Sequence, residues 1–250
     1  MLMDYLNEKL DEGFENPQQW FEETKAKARN GDSLSAEVVG CMLVKNGKYE
    51  DSLSWLEFGA SKDGLFSTHQ LGWLYYTGTG IQKNHEKAFG YFDKGAKLGI
   101  PESTGLLGIM YSGGFFVKKN SAKAKSLFLE SAKGGSVEAM KWIGLRYHNG
   151  VDDLIKNPLL GQAWLKVAAT GNDPRAIKET DSFDKCVSKL PSDLQVKIRT
   201  KIQKYSEEIK NLSEINSLTD DLGFDLKEYM PSLGFFRFAA YGFLLAAILM

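Results

Sequence analysis

The chain has 250 residues, and its 31 basic side chains nearly balance 32 acidic ones, giving a formal net charge of −1 at pH 7. This balance excludes a global positive field that would steer the protein toward nucleic acid. The two cysteines, Cys41 and Cys186, show neither a disulfide framework nor the spacing of a zinc site, so we expect a cytoplasmic protein without a metal or other cofactor.

The N-terminal part of the chain shows weak helical patterns. The opening segment, MLMDYLNEKLDEGFE, is acidic and lacks the apolar stretch of a secretory signal. The next segment, PQQWFEETKAKARNGD, is predicted to be a helix. After the pair Val39-Gly40, the residues Ser52, Leu56 and Ala60 recur at four-residue spacing, which favours one face of a further helix.

A 36-residue repeat is the strongest signal in the chain. A Leu-Gly or Ile-Gly pair opens each unit, a tyrosine follows three residues after its glycine, and another glycine comes three residues later. The second half of each unit brings back a large aromatic residue, then an alanine, then a final glycine. The positions are Leu71-Gly72, Leu107-Gly108 and Ile143-Gly144; Tyr75, Tyr111 and Tyr147; Gly78, Gly114 and Gly150; Phe92, Phe128 and Trp164; Ala96, Ala132 and Ala168; and Gly99, Gly135 and Gly171.

The recurring residue types fit a pair of packed helices. On the first helix, one face is formed by Ser67, Leu71, Leu74 and Tyr75. Gly72 has no side chain, so a second helix can approach the first one closely there. On that second helix the small and aromatic residues share a face, and we expect Ala96, Ala132 and Ala168 to be buried in equivalent environments.

The ends of the second helix carry cap signals. Asn84 is predicted to cap its N-terminus, because an asparagine side chain accepts a hydrogen bond from a free backbone N–H in the first turn. Gly99 and Gly135 are predicted to follow the helix end in a left-handed backbone conformation, which glycine adopts without steric cost.

The segments LGWLYYTGTGIQKNHEKAFGYFDKGAKLG and LGIMYSGGFFVKKNSAKAKSLFLESAKGG resemble Sel1-like repeats, which are related to tetratricopeptide repeats. A third segment, IGLRYHNGVDDLIKNPLLGQAWLKVAATG, fits with one residue inserted before Asn157. The resemblance covers residues 17–173, most clearly 66–171, with degenerate units at the N-terminus. It implies an all-α fold, an α/α solenoid of helix pairs over residues 1–173, and a role in binding proteins.

The first helix of each unit has a second face, turned away from the predicted core. At 100° per residue, positions 69, 73 and 76 lie on this face. With their equivalents in the next two units, the candidate partner-binding residues are His69, Trp73, Tyr76, Ile109, Ser112, Lys141, Leu145 and His148. We expect an apolar strip on the concave surface that binds a peptide or a helix. The alternative is that these side chains pack against neighbouring first helices.

Residues 66–173 carry 13 basic and 8 acidic side chains. One interpretation is an ordinary solvated helical surface, since exposed lysines are common on helices. The other is a mildly basic face that meets an acidic partner.

Two segments follow the repeats, a helical cap over residues 174–230 and an apolar helix over residues 231–250. In the cap, residues 191–212 are predicted to form one long helix that closes the solenoid. The final segment, GFFRFAAYGFLLAAILM, holds a single charge, Arg237, and as a helix would span about 25 Å, slightly less than a bilayer core. It is interpreted as a membrane anchor, as a helix docked on the repeats, or as an oligomer contact.

No spacing typical of a catalytic or metal site is present, and the histidines His69, His85 and His148 share no metal-like spacing. The sequence therefore predicts a non-enzymatic scaffold or adaptor that binds a protein on the concave face of the repeats, with no nucleic-acid partner. An immunity or inhibitor protein that neutralises a cognate bacterial toxin or effector is the alternative, and an enzyme with an unrecognised site is a third hypothesis. Membrane association would come through residues 234–250.

Overall fold

The computed structural model describes residues 17–149 and 157–211, which hold eleven α-helices and no β-strand. The helices are α1 (Pro17–Arg29), α2 (Ser33–Lys45), α3 (Tyr49–Ser61), α4 (Leu65–Thr77), α5 (His85–Lys97), α6 (Pro101–Gly113), α7 (Ser121–Lys133), α8 (Val137–Asn149), α9 (Pro158–Ala169), α10 (Pro174–Val187) and α11 (Ser192–Asn211). The all-α prediction is confirmed. The chain forms two compact units, Met1–Asn120 and Ser121–Met250, hereafter unit 1 and unit 2.

In unit 1 each helix packs against the next one along the chain. The alternate helices α2, α4 and α6 also contact one another in sequence. This is the arrangement of a helix-pair solenoid, in which the first helices of successive pairs lie side by side. The weak N-terminal patterns were interpreted correctly, since α1 and α3 cover the two segments predicted to be helical.

The predicted core face of α4 is buried. Leu71, Leu74 and Ser67 are completely shielded from solvent, and Tyr75 nearly so. A Cβ atom added to Gly72 would lie 2.5 Å from Cε1 of Phe92 on α5, which confirms that glycine at this position allows close packing.

The predicted caps are present in the expected conformations. The side chain of Asn84 accepts a hydrogen bond of 2.9 Å from the backbone N–H of Lys87. Gly99 and Gly135 have φ angles of 75° and 91°, in the left-handed region. In the third repeat the left-handed residue after the second helix is Asn172, with φ of 60°. Asparagine is one of the few residues that adopts this conformation readily.

One backbone hydrogen bond closes the loop between the paired helices in each repeat. The N–H of an asparagine donates to the carbonyl of the tyrosine near the end of the first helix, over 2.9 Å each time. The pairs are Asn84 with Tyr75, Asn120 with Tyr111, and Asn157 with Tyr147. The third pair is one residue farther apart in sequence, as the predicted insertion requires.

The three repeat alanines are not equivalent. Ala132 and Ala168 are fully buried as predicted, but Ala96 is only partly buried, so the expectation was wrong for this residue. On α5 the tightest contact with α6 lies one residue earlier, at Gly95. A Cβ atom there would come within 2.5 Å of Ser103 on α6. The face of α5 toward α6 is therefore centred on Gly95, and Ala96 lies at its edge.

In unit 2, α9 is the central helix, because α8, α10 and α11 all pack against it. Its closest neighbour is α8, where Gly144 and Gly161 bring two backbones together. A Cβ atom on Gly161 would lie 2.7 Å from the carbonyl oxygen of Gly144. Nearly every residue of α9 is buried as a result.

The predicted long helix after the repeats is α11, and its expected apolar face is buried, as the sequence indicated: Leu194, Ile198, Ile202, Tyr205 and Ile209. The proposed apolar helix over residues 231–250 and the opening acidic segment lie outside the described residues. Among the residues described, no helix combines the length and the apolar character needed to cross a bilayer.

Candidate functional site

Trp73 on α4 is the most exposed of the predicted partner-binding residues, with 36% of its surface accessible to solvent. Its indole N–H has no hydrogen-bond partner within the described ranges 17–149 and 157–211. The remaining surface of Trp73 is covered by the rest of the chain. This combination gives α4 an exposed apolar surface with an unused donor.

His69 lies one turn before Trp73, and its side chain reaches the next first helix. Its Nδ1 atom is hydrogen-bonded to Oγ of Ser103 on α6 over 3.0 Å, and its ring centroid lies 6.4 Å from that of Phe92. Burial lowers the pKa of His69, against a smaller opposing effect of Glu102, and so favours the neutral ring. His69 therefore joins α4 to α6.

Tyr76 belongs to an aromatic cluster between α4, α5 and the loop after α6. Its ring centroid lies 5.7 Å from that of His85, 6.1 Å from that of Phe92 and 5.9 Å from that of Phe115. Burial raises the pKa of the Tyr76 phenol. The side chain thus packs inside unit 1, and only part of it is accessible.

On α6, Ile109 and Ser112 occupy the positions equivalent to Trp73 and Tyr76. Both are partly buried. Trp73 and Ile109 hold equivalent repeat positions on α4 and α6, which contact each other. We call the exposed surface that these two residues form the first-helix face of unit 1.

Lys141 in unit 2 is almost fully buried, with 9% of its surface exposed. Its ammonium group forms ion pairs with Glu138 and, over 3.0 Å, with Asp173. Burial acts to lower the pKa of Lys141, but the hydrogen bonds to the two carboxylates outweigh it and leave the pKa raised. Asp173 also caps α10 by accepting a hydrogen bond of 2.7 Å from the N–H of Ala176. Lys141 therefore ties α8 to the start of α10.

Leu145 and His148 complete the predicted set in unit 2. Leu145 packs against the buried cluster of Leu165, Ala168 and Ala176. His148 is partly buried where α8 meets α9, and a Cβ atom on Gly161 would lie 2.9 Å from its backbone nitrogen. The eight predicted residues thus differ in their surroundings, and several of them contact neighbouring helices.

The sequence analysis did not single out Phe116, which follows α6. This residue is 55% exposed and has a φ angle of 68°, in the left-handed region where a phenylalanine is rarely found. The 36-residue repeat could have indicated this position. Thirty-six residues earlier stands Gly80, which has φ of 65°.

Neither cysteine forms a disulfide bond; Cys41 is buried, which raises the pKa of its thiol. Within the described part of the chain, no three or more His, Cys, Asp or Glu side chains converge as metal ligands.

A family model of the Sel1 repeat matches residues 66–100, 101–136 and 137–173. A solved Sel1 repeat protein from Oxalobacter formigenes is similar at 22% identity and a TM-score of 0.62, over 78% of this chain and 80% of that one. A protective antigen of uropathogenic Escherichia coli strains that displays an SLR fold is similar at 20% identity and a TM-score of 0.59. This second match covers 75% of this chain but only 40% of the antigen. At these identities the likeness shows the fold alone.

Proposed function

Since this chain is a Sel1 repeat protein, with three consecutive repeats over residues 66–173, we propose that it is a non-enzymatic scaffold or adaptor that binds a protein partner. Sel1 repeat proteins generally mediate protein–protein interactions. The binding surface in this proposal is the first-helix face of unit 1. The observation that carries it is the exposed indole of Trp73.

Trp73 has the properties of an interface anchor. Tryptophan is enriched among the residues that dominate binding energy, because its large flat ring buries much apolar area with few rotatable bonds. A side chain that is already partly covered before binding has less conformational entropy to lose on association. The indole N–H is left to donate a hydrogen bond to the partner. Ile109 extends the apolar surface onto α6.

His69 and Tyr76 join α4, the helix that carries Trp73, to neighbouring helices. The hydrogen bond between His69 and Ser103 joins α4 to α6, and the rings around Tyr76 join α4 to α5. We assign both residues to holding α4, the helix that carries Trp73, against its neighbours. The partner segment would be a peptide or a helix that presents an apolar side chain, as in other recognition by helical grooves.

The test is site-specific photocrosslinking in the native host. A photoreactive benzoylphenylalanine in place of Trp73 retains an aromatic side chain, and the matched control places it at Val196, which is exposed on α11. We expect a discrete crosslinked product from position 73 and none from position 196. If position 73 yields none, or if both positions yield the same products, the first-helix face is not the binding surface.

The identity of the crosslinked partner also separates the two roles considered from the sequence. A scaffold or adaptor is expected to yield proteins of its own cellular assembly. A single toxin or effector, whose activity falls when the purified chain is added, would favour the immunity or inhibitor role. We place either role in the cytoplasm, because neither Cys41 nor Cys186 forms a disulfide bond, as is usual for proteins of a reducing compartment.

A further inference from the structure

The loops that follow the first helices of unit 1 lie at one edge of that unit. Short loops reverse the chain between consecutive packed helices, so the alternate helices α2, α4 and α6 run in the same direction. Their C-terminal ends therefore lie side by side. We call the surface at these ends the loop edge of unit 1; it consists of residues 45–48, 78–84 and 114–120.

All the charged side chains of the loop edge are positive. Its three segments, KNGK, GTGIQKN and GFFVKKN, contain five lysines and no aspartate or glutamate. All five lysines are exposed: Lys45, Lys48, Lys83, Lys118 and Lys119. The loops at the opposite end of the same helices contain one lysine and two aspartates, in residues 30–32, 62–64 and 98–100. Positive charge is therefore concentrated at one edge of unit 1.

Within the described part of the chain, none of these five lysines forms an ion pair. Acidic side chains stand where the second helices begin, at Glu50, Asp51 and Glu86, but they do not pair with the lysines of the loop edge. At the opposite end of α5, by contrast, the ammonium group of Lys94 lies 2.8 Å from a carboxylate oxygen of Asp63. The cations of the loop edge are thus left to pair with an anionic partner.

An exposed aromatic ring stands among these lysines. Phe116 is 55% exposed, although its ring centroid lies 5.7 Å from that of Phe89 on α5. Its φ angle of 68° is one that phenylalanine rarely adopts, and backbone strain of this kind is concentrated at binding sites. Lys118 and Lys119 follow two and three residues later. The loop after α6 therefore presents an apolar side chain next to two cations.

We propose that the loop edge of unit 1 binds an anionic phospholipid surface, with Phe116 entering the headgroup region and the five lysines pairing with anionic headgroups. An exposed apolar side chain combined with unpaired cations is the pattern by which proteins attach to the surface of anionic membranes. The site shares no residue with the first-helix face, so it does not depend on the Trp73 proposal.

The arrangement of the lysines favours a lipid surface over an acidic protein. Packed helices lie about 10 Å apart, so the lysines of three adjacent loops are spread along the edge and do not converge on one ligand. Lipid headgroups can move laterally and pair with each lysine. A protein would need carboxylates at three matched places and a pocket of its own to receive the ring of Phe116.

The test is sedimentation of the full-length chain with vesicles of phosphatidylcholine alone or of phosphatidylcholine mixed with phosphatidylserine. We expect binding to the anionic vesicles to be at least about tenfold tighter and to weaken as the salt concentration rises. Equal binding to the two kinds of vesicle would overturn the proposal. Binding to soluble polyglutamate but not to the anionic vesicles would also overturn it, and would assign the loop edge to an acidic protein.

Two pairs of variants test the site on the protein side. Lys119→Glu should weaken binding to anionic vesicles at least about fivefold, whereas Lys62→Glu makes the same charge change at the opposite edge and should have little effect. Phe116→Gly should weaken binding about tenfold, because the exposed ring is no longer buried in lipid. Its control is Leu65→Ala, which removes another exposed apolar side chain of unit 1. Equal losses within either pair would refute the proposal.

A local signal separates the loop edge from the apolar segment at residues 234–250, which lies outside the described residues. Fluorinated phenylalanine is placed at Phe116 or, as the control, at Phe66 near the opposite end of α4, and fluorine NMR measures the broadening that spin-labelled lipid adds. We expect added broadening at position 116 and none at position 66. If position 116 shows none while the chain sediments with the vesicles, the chain binds lipid elsewhere and the proposal fails, whatever the crosslinking at position 73 shows.

Discussion

The close approach of α4 and α5 at Gly72 can be tested with one substitution made at two places. Gly72→Ala adds a methyl group that would lie 2.5 Å and 2.6 Å from two ring carbons of Phe92. Carbon atoms that are not bonded prefer about 3.5–4.0 Å, so one helix would have to move by about 1 Å. Phe92 is fully buried.

The matched control is Gly90→Ala on the same helix pair. Gly90 lies within α5 and is exposed, and an added Cβ atom would meet no other atom within 4 Å. In both variants alanine favours the helix over glycine by about 1 kcal/mol. Only at position 72 is there an overpacking cost, about 1–3 kcal/mol. The two free energies of unfolding should therefore differ by about 1–3 kcal/mol, with Gly90→Ala the more stable variant.

The assay is urea unfolding followed by far-ultraviolet circular dichroism, with the midpoints compared at a common slope. A double variant with Gly72→Ala and Phe92→Leu should recover part of the overpacking cost, because the smaller side chain vacates the contact. If Gly72→Ala stabilises the chain as much as Gly90→Ala does, α4 and α5 are not in the close contact described, and the reasoning fails.

Two further predictions concern charge and backbone strain. Asp173→Asn keeps an acceptor that caps α10 but removes the charge facing Lys141, and should lower the free energy of unfolding by about 1–2 kcal/mol at pH 7. Burial alone would raise the pKa of Asp173, but hydrogen bonds from the Ala176 N–H and from Lys141 lower it below the ordinary 3.8, so this contribution is present above about pH 4 and is lost as the pH falls further. Urea unfolding at several pH values should show the variant and wild type converging in acid, and a gap independent of pH would contradict this. Phe116→Gly and Phe116→Ala both lose the ring contact with Phe89, but alanine must adopt the left-handed backbone, so the glycine variant should be the more stable by about 1 kcal/mol in thermal unfolding. An alanine variant of equal or greater stability would show that position 116 is not left-handed.

The helices and their shared core could be predicted because their signal is local. Leu71, Gly72 and Phe92 recur at fixed spacing, and a helical period places them on the face toward the paired helix. The loop caps were predictable for the same reason, since Asn84 and Gly99 act through their own backbone conformation and through atoms a few residues away.

The surroundings of the candidate site could not be predicted, because a helical period gives only the direction in which a side chain leaves its own helix. His69 and Trp73 leave α4 in similar directions, but Ser103 of α6 lies within reach of one of them. Lys141 was expected on an exposed face, but its ammonium group forms an ion pair with Asp173. The prediction for Ala96 was wrong for a related reason, since the helical period does not show that its neighbour Gly95 makes the closest contact with α6.

The backbone hydrogen bond that closes each loop joins the two ends of the loop without involving the side chains between them. In all three repeats the asparagine N–H lies 2.9 Å from the tyrosine carbonyl oxygen, so backbone atoms alone hold the two ends of each loop together. The residues between them differ in sequence, as YTGTGIQK and SGGFFVKK do, and in number, as the longer third loop does. New recognition surfaces could therefore be introduced by changing the residues between the tyrosine and the asparagine, without redesigning the helices on either side.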